Sequence, residues 1–106
     1  MLNNSEIQKI RNITKEVKKE RLPLIFGALG DPTRLCIFKI LLKYKNLCVT
    51  DISRICKLSV AAVSHQLKLL EMVGLVVKER DGKMICYEIK QDDGIVKLIA
   101  EIVINN

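Results

Sequence analysis

The chain holds a single histidine in 106 residues, no apolar stretch close to membrane-spanning length, and no glycine-rich loop. Each absence removes a class of function. With one imidazole, no nucleophile beside a plausible base, no paired carboxylates in a pocket-like context and no loop to cradle phosphate, enzyme chemistry has little to stand on. The longest apolar run, Leu35 to Leu42, is cut by Lys39 and falls short of the roughly 20 residues a bilayer crossing requires. The first residues, Met1-Leu2-Asn3-Asn4-Ser5, lack the basic-then-apolar order of a secretory leader, which points to the cytoplasm. In that compartment all four cysteines are expected to be thiols. No repeat, low-complexity tract or Gly/Ser linker divides the chain. Its length and 49% apolar content suit one modest core, so residues 1–106 are expected to form a single domain.

Acidic side chains are the scarcer charge: 12 Asp and Glu stand against 18 Lys and Arg, a net of +6. Such a balance favours a polyanionic partner through phosphate contacts and counterion release. Along the chain, Ser5 and Gln8 have the spacing of a capping box, and Ile7, Ile10, Ile13 and Val17 recur at near-helical intervals, predicting an amphipathic helix over 5–20. Pro23 can open a short helix bearing Leu24, Ile25, Phe26 and Leu29, which Gly30 ends. Asp31-Pro32 is an N-cap followed by a first helical residue. The helix it starts, running to about Tyr44, is apolar nearly all round and therefore central.

Thr50 is a candidate N-cap for a short helix carrying Ile52 and Ile55 that ends near Lys57. Ser59 caps the next, on which Val60, Val63, Leu67 and Leu70 share one stripe, with Gly74 as the C-terminal stop. Two helices joined by the tight Lys57-Leu58 link make a helix-turn-helix over 50–73. Asp81-Gly82 between the runs 75–80 and 83–89 signals a β-hairpin, with Ile85, Tyr87 and Ile89 facing the core. A last helix, about 92–104, carries Ile95, Val96, Leu98, Ile99, Ile102 and Val103. The fold class expected is mainly α with a small β-hairpin, a winged helix-turn-helix.

Particular strings go beyond this pattern. Ala28-Leu29-Gly30-Asp31-Pro32-Thr33-Arg34-Leu35, then Leu58-Ser59-Val60-Ala61-Ala62-Val63-Ser64-His65-Gln66-Leu67-Lys68, then Gly74-Leu75-Val76 and the strand from Gly82 to Ile89 together resemble the ArsR/SmtB family of metal-responsive repressors. The resemblance spans residues 22–100; the helix over 5–20 matches loosely. It implies a homodimer held by the first and last helices that binds double-stranded DNA and leaves its operator when an effector binds. Independently, the terminal segments 5–29 and 92–104 carry more apolar surface than the flank of a small core can cover, which marks an interface.

With the stripe Val60, Val63, Leu67 and Leu70 turned inward, a period of 3.6 places Ala61, Ser64, His65 and Lys68 on the outer face with Ala62 at its edge. Ser59 and Ser64 can donate to phosphates or base edges, His65 can donate or accept, Lys68 can neutralise a phosphate, and the methyls of Ala61 and Ala62 can meet thymine methyls. Lys78, Arg80 and Lys83 surround the hairpin turn, where a wing would grip the adjacent backbone or groove. Arg54 and Lys57 can add phosphate contacts. Two other readings fit the same face: a winged-helix protein-interaction module, suggested by the blandness of Ala61 and Ala62, and a DNA-binding protein that answers to no effector.

Members of the family that sense soft metals often carry a Cys-Val-Cys pair where this chain has Cys48-Val49-Thr50. A threonine hydroxyl is a poor soft-metal ligand. The zinc site of the family's last helix keeps only Asp92; Gly94 and Asn105 stand where histidines would be. Cys48 is therefore the candidate effector-sensing residue, through a soft metal ion held at a site unlike the family's or through thiol modification. Cys36, Cys56 and Cys86 read as small buried hydrophobes.

Overall fold

The computed structural model describes residues 1–106. Six helices and three short strands follow in the order α1 (Asn4–Lys19), α2 (Leu22–Leu29), α3 (Pro32–Lys43), β1 (Leu47–Cys48), α4 (Val49–Cys56), α5 (Val60–Met72), β2 (Val76–Asp81), β3 (Met84–Ile89) and α6 (Gly94–Ile104). The strands form an antiparallel sheet in the order β1-β3-β2, with Leu47 opposite Tyr87, Cys48 opposite Cys86 and Val76 opposite Ile89. The core is built where α3, α5 and the sheet meet. Ile37, Phe38 and Leu41 of α3, Val63, Leu67 and Leu70 of α5, Leu75, Val76, Tyr87 and Ile89 around the sheet, and Val96 and Ile99 of α6 form one buried cluster. The apolar character of 35–42 is thus explained by a central position.

Start signals largely decide the boundaries. Asp31 accepts a hydrogen bond from the Arg34 amide at 3.0 Å, Ser59 from the Ala62 amide at 3.0 Å, and Asp93 from the amides of Ile95 and Val96 at 3.0 and 3.4 Å, each satisfying donors that a helix start leaves without partners. Two expected caps are corrected. Helix α1 is capped by a box of Asn3 and Glu6 rather than Ser5 and Gln8. Helix α4 has Cys48 rather than Thr50 as its N-cap, because β1 keeps the chain extended through Cys48 and the Asp51 carboxylate reaches back to accept from the Cys48 amide at 3.0 Å. Lys57, at φ 56°, then breaks α4 in the left-handed region, and Ser53 Oγ donates to the Leu58 carbonyl to fix the turn into α5.

The hairpin turn also differs by one residue from expectation. Asp81 pairs with Met84, so the loop is Gly82-Lys83, and of Asp81 and Gly82 only Gly82 takes a positive φ, 62°. On β3 the buried residues are Cys86, Tyr87 and Ile89, while Ile85 is exposed, because it lies toward the hairpin tip opposite Arg80, beyond the reach of the core. Strand β1 carries no signature in the sequence; two residues are too few to show a period.

Helix α1 stands away from this body. None of its 16 residues is buried, and the long axis of 61 Å against 27 and 25 Å follows from its extension. The radius of gyration is 17.5 Å, where a compact chain of this length would have about 13 Å. Ile7, Ile10, Ile13 and Val17 therefore face solvent, as do Leu24 and Phe26 of α2 and Leu98 and Ile102 of α6. No helix is long and apolar enough to cross a membrane.

Candidate nucleic-acid interface

Helix α5 presents its outer face because its inner face is fully committed. Val63, Leu67 and Leu70 are each 0% exposed, a spacing that fixes both the roll and the depth of the helix. Ala61, His65 and Lys68 are exposed on the opposite side, with Ala62 and Ser64 half-buried at its edges. Ser59 is exposed, its Oγ engaged as the cap acceptor while its hydroxyl proton stays free to donate. Val60 is a correction: it does not anchor the helix but is 49% exposed. As the first helical residue it projects past the core edge into a cleft between α5 and the hairpin.

That cleft, of about 240 Å³, is lined by Val60 and Ser64 of α5, Thr50 and Val49 of α4, Cys48, and Lys83, Met84 and Ile85 of the hairpin. It brings together Ser64 and Lys83, two of the expected contact residues. Lys78, Arg80 and Lys83 are all exposed on the hairpin, alongside Glu79 and Asp81, and Arg54 and Lys57 are exposed at the end of α4. The structure's one ion pair, Arg21 to Asp93 at 2.7 Å, uses none of these cations, so they carry no salt bridge within the chain.

Two positioning contacts escape a reading of the sequence. Arg34 donates through Nε to the Ala28 carbonyl at 2.8 Å and through Nη1 to Gln66 Oε1 at 3.0 Å, pinning α5 to α3 from within the string Ser64-His65-Gln66-Leu67. Gln66 therefore faces inward, as its half-buried state shows. Arg21 reaches Asp93 and, at 3.3 and 3.4 Å, the carbonyls of Val73 and Gly74, tying the end of α5 and the start of α6 to α2. The Arg21 hydrogen bond holds the Asp93 carboxyl below its ordinary pKa, helped by the Ile95 and Val96 amides. Arg34 signals itself only as a lone charge in an apolar context, Arg21 is hidden at the end of the charged run Lys18-Lys19-Glu20-Arg21, and their partners are 32 and 72 residues away.

The thiol expectation is overturned for two cysteines: Cys48 and Cys86 are joined in a disulfide. Facing register positions on β1 and β3 bring them together, a pairing invisible without knowledge of β1. Cys86 is buried, as expected, but as half of that bond. Cys36 and Cys56 remain free, Cys36 being exposed rather than buried; burial, and then the neighbouring Cys36 thiol, push the Cys56 thiol above its ordinary pKa. The donor set for a metal does not fit: the Cys48 sulfur is engaged in the disulfide, and no three His, Cys, Asp or Glu side chains cluster. Asp92, exposed at the start of α6, has no ligand partner.

Comparison with known proteins bears on this geometry. Residues 31–78, from the Asp31 cap to the wing, match the family model described as bacterial regulatory protein, arsR family. A cadmium resistance transcriptional regulatory protein CadC homolog of Staphylococcus aureus is 33% identical over 96 residues, 88% of this chain and 78% of the relative. A transcriptional repressor SmtB homolog of Synechocystis is 32% identical over 100 residues, 91% of this chain and 74% of the relative. Among solved structures, the homodimeric winged helix-turn-helix DNA-binding domain of a possible ArsR-family transcriptional regulator from Mycobacterium bovis superposes with a TM-score of 0.73 at 24% identity, covering 84% of this chain and 80% of that one. With the fold, the outward face of α5 and these matches in agreement, the chain belongs to the ArsR family of transcriptional regulators.

Proposed function

We propose that this protein is a homodimeric, sequence-specific DNA-binding repressor, released from its operator by an effector, that works in the cytoplasm by binding rather than by catalysis. The observation that carries the reading is the outward face Ala61, His65 and Lys68, held by a fully buried stripe and flanked by an unpaired basic wing. In this reading 1–106 is one winged-helix domain: 50–73 supplies the helix-turn-helix, 75–89 the wing, and 5–29 and 92–104 the dimer contacts.

Each residue has a stated task. Helix α5 enters the major groove, where Ser64 and His65 address base edges and the methyls of Ala61 and Ala62 contact thymine methyls. Ser59 and Lys68 hold phosphates at either end of the helix. Lys78, Arg80 and Lys83 grip the backbone beside the neighbouring groove, and these contacts fix register rather than sequence. A twofold dimer then places two α5 helices about 34 Å apart, one turn of DNA, in successive major grooves.

Selection of bound duplexes from a random pool tests this directly. The expected outcome is an enriched sequence with dyad symmetry, altered in its central preferences by Ser64→Ala and His65→Ala. A pool that emerges without enrichment, while the face captures a protein instead, would replace the DNA reading with that of an interaction module.

A further inference from the structure

Of the four cysteines, the bonded pair forms the covalent tie between the first helix of the helix-turn-helix and the wing, whose base is otherwise held by the buried Val76, Tyr87 and Ile89. Strand β1 has two residues, so the Leu47–Tyr87 and Cys48–Cys86 pairings are the whole of its attachment to β3. A ladder that short has little stability of its own. Cys48 is also the N-cap of α4, the first helix of the helix-turn-helix, and Cys86 lies midway along β3, across from Glu79 of β2. The bond therefore ties the start of α4 to the middle of the wing. Directly over it lies the cleft whose walls are Val60 and Ser64 on one side and Lys83, Met84 and Ile85 on the other.

We propose that Cys48 and Cys86 form a reversible thiol–disulfide site, answering to low-molecular-weight thiols and disulfides, whose bonded state holds the wing in the DNA-binding arrangement. The inference rests on the DNA-binding reading above and assigns its effector. Entry is through Cys48, which is half-buried and lines the cleft, whereas Cys86 is 3% exposed. A small thiolate attacks the Cys48 sulfur; the protein S–S bond breaks, a mixed disulfide forms on Cys48, and Cys86 leaves and takes up a proton. A second small thiolate attacks the small molecule's own sulfur in that mixed disulfide, releasing Cys48, which is protonated, and a small-molecule disulfide. The protein gains two electrons and two protons, and the small thiol pair is oxidised by the same amount. Oxidation by a small disulfide runs these steps backward.

The bond acts by pre-organisation. While it is closed, Ser64 and Lys83 keep a fixed relation across the cleft, and little ordering remains to be done on the duplex. Once it is open, β1 keeps only its two pairings and the packing of Leu47 on the core, and the outer part of the hairpin, beyond the buried Val76, Tyr87 and Ile89, loses its covalent tie to α4. Cys36 and Cys56, on α3 and at the end of α4, are free thiols that do not line the cleft, so they supply a control.

The test uses the full-length protein and a selected duplex, with affinity measured by fluorescence anisotropy in buffers of reduced or oxidised dithiothreitol and with thiols counted by alkylation and mass spectrometry. We expect the oxidised form to bind at least tenfold more tightly. Cys36→Ser/Cys56→Ser should keep that response, and Cys48→Ser/Cys86→Ser should lose it, binding as the reduced protein does; Cys86→Ala alone, checked for helix content by circular dichroism, guards against a folding defect in the double variant. Equal, sequence-specific binding in both redox states overturns the redox site and leaves the DNA reading standing. A response that survives Cys48→Ser/Cys86→Ser overturns it too. Absence of specific binding in either state overturns both readings.

Discussion

Replacing Ile10 and Ile13 by Asp should convert the dimer to a folded monomer. Both lie on the uncovered stripe of α1, with exposures of 51% and 56%. Full burial of such a side chain contributes about 1.5–3 kcal/mol, so covering the exposed half of each gives roughly 1 kcal/mol per residue. Twofold symmetry uses each position twice, for a total of about 4 kcal/mol, or roughly a thousandfold in the dimer Kd. The buried carboxylates would add to the loss. Because α1 contributes no residue to the core, the helix-turn-helix should remain folded, and sedimentation equilibrium with far-UV circular dichroism separates the two effects. DNA affinity should fall in parallel, since a monomer engages one half-site. A double variant that stays dimeric to within tenfold of the parent would refute the assignment of α1 to the interface.

Leu67→Ala should lower stability by about 2–5 kcal/mol through the cavity it leaves at a fully buried site, read as a fall in Tm; an unchanged Tm would mean that α5 is not anchored as described. Because Arg21 depresses the folded-state pKa of Asp93, the stabilisation from this carboxylate is complete above the ordinary carboxylate pKa and disappears as pH falls through the folded value. Urea titrations across the acid range should show that limb flattened in Asp93→Asn, and an identical limb would count against the pair. Lys68→Ala/Arg80→Ala should weaken binding to all duplexes alike and make the salt dependence shallower by about 0.9 for each phosphate that is no longer neutralised; an unchanged slope would place both side chains away from the backbone.

Much of the fold is legible in the sequence because its signals are local. Asp31-Pro32 and Ser59 start helices through atoms within three residues, and the period of Val63, Leu67 and Leu70 names the inward face of α5 without reference to any other element. The outward face follows from the same period, so Ala61, His65 and Lys68 emerge together. What stays hidden depends on separation in sequence. The Arg34–Gln66 and Arg21–Asp93 contacts and the Cys48–Cys86 bond join segments that only the finished fold brings together. Val60 and Ile85 have the right residue type for a core but lie where the core has run out, at the rim facing the cleft; periodicity gives a direction and says nothing about depth.

Methylation protection at guanine N7 tests the central claim most directly, because that atom lies in the major groove where the outer face of α5 is placed. On a selected duplex, the oxidised dimer should protect two clusters of guanines centred about 10 base pairs apart, and His65→Ala should weaken protection within those clusters while leaving their spacing intact. Tight binding with the major-groove guanines fully reactive would contradict the account.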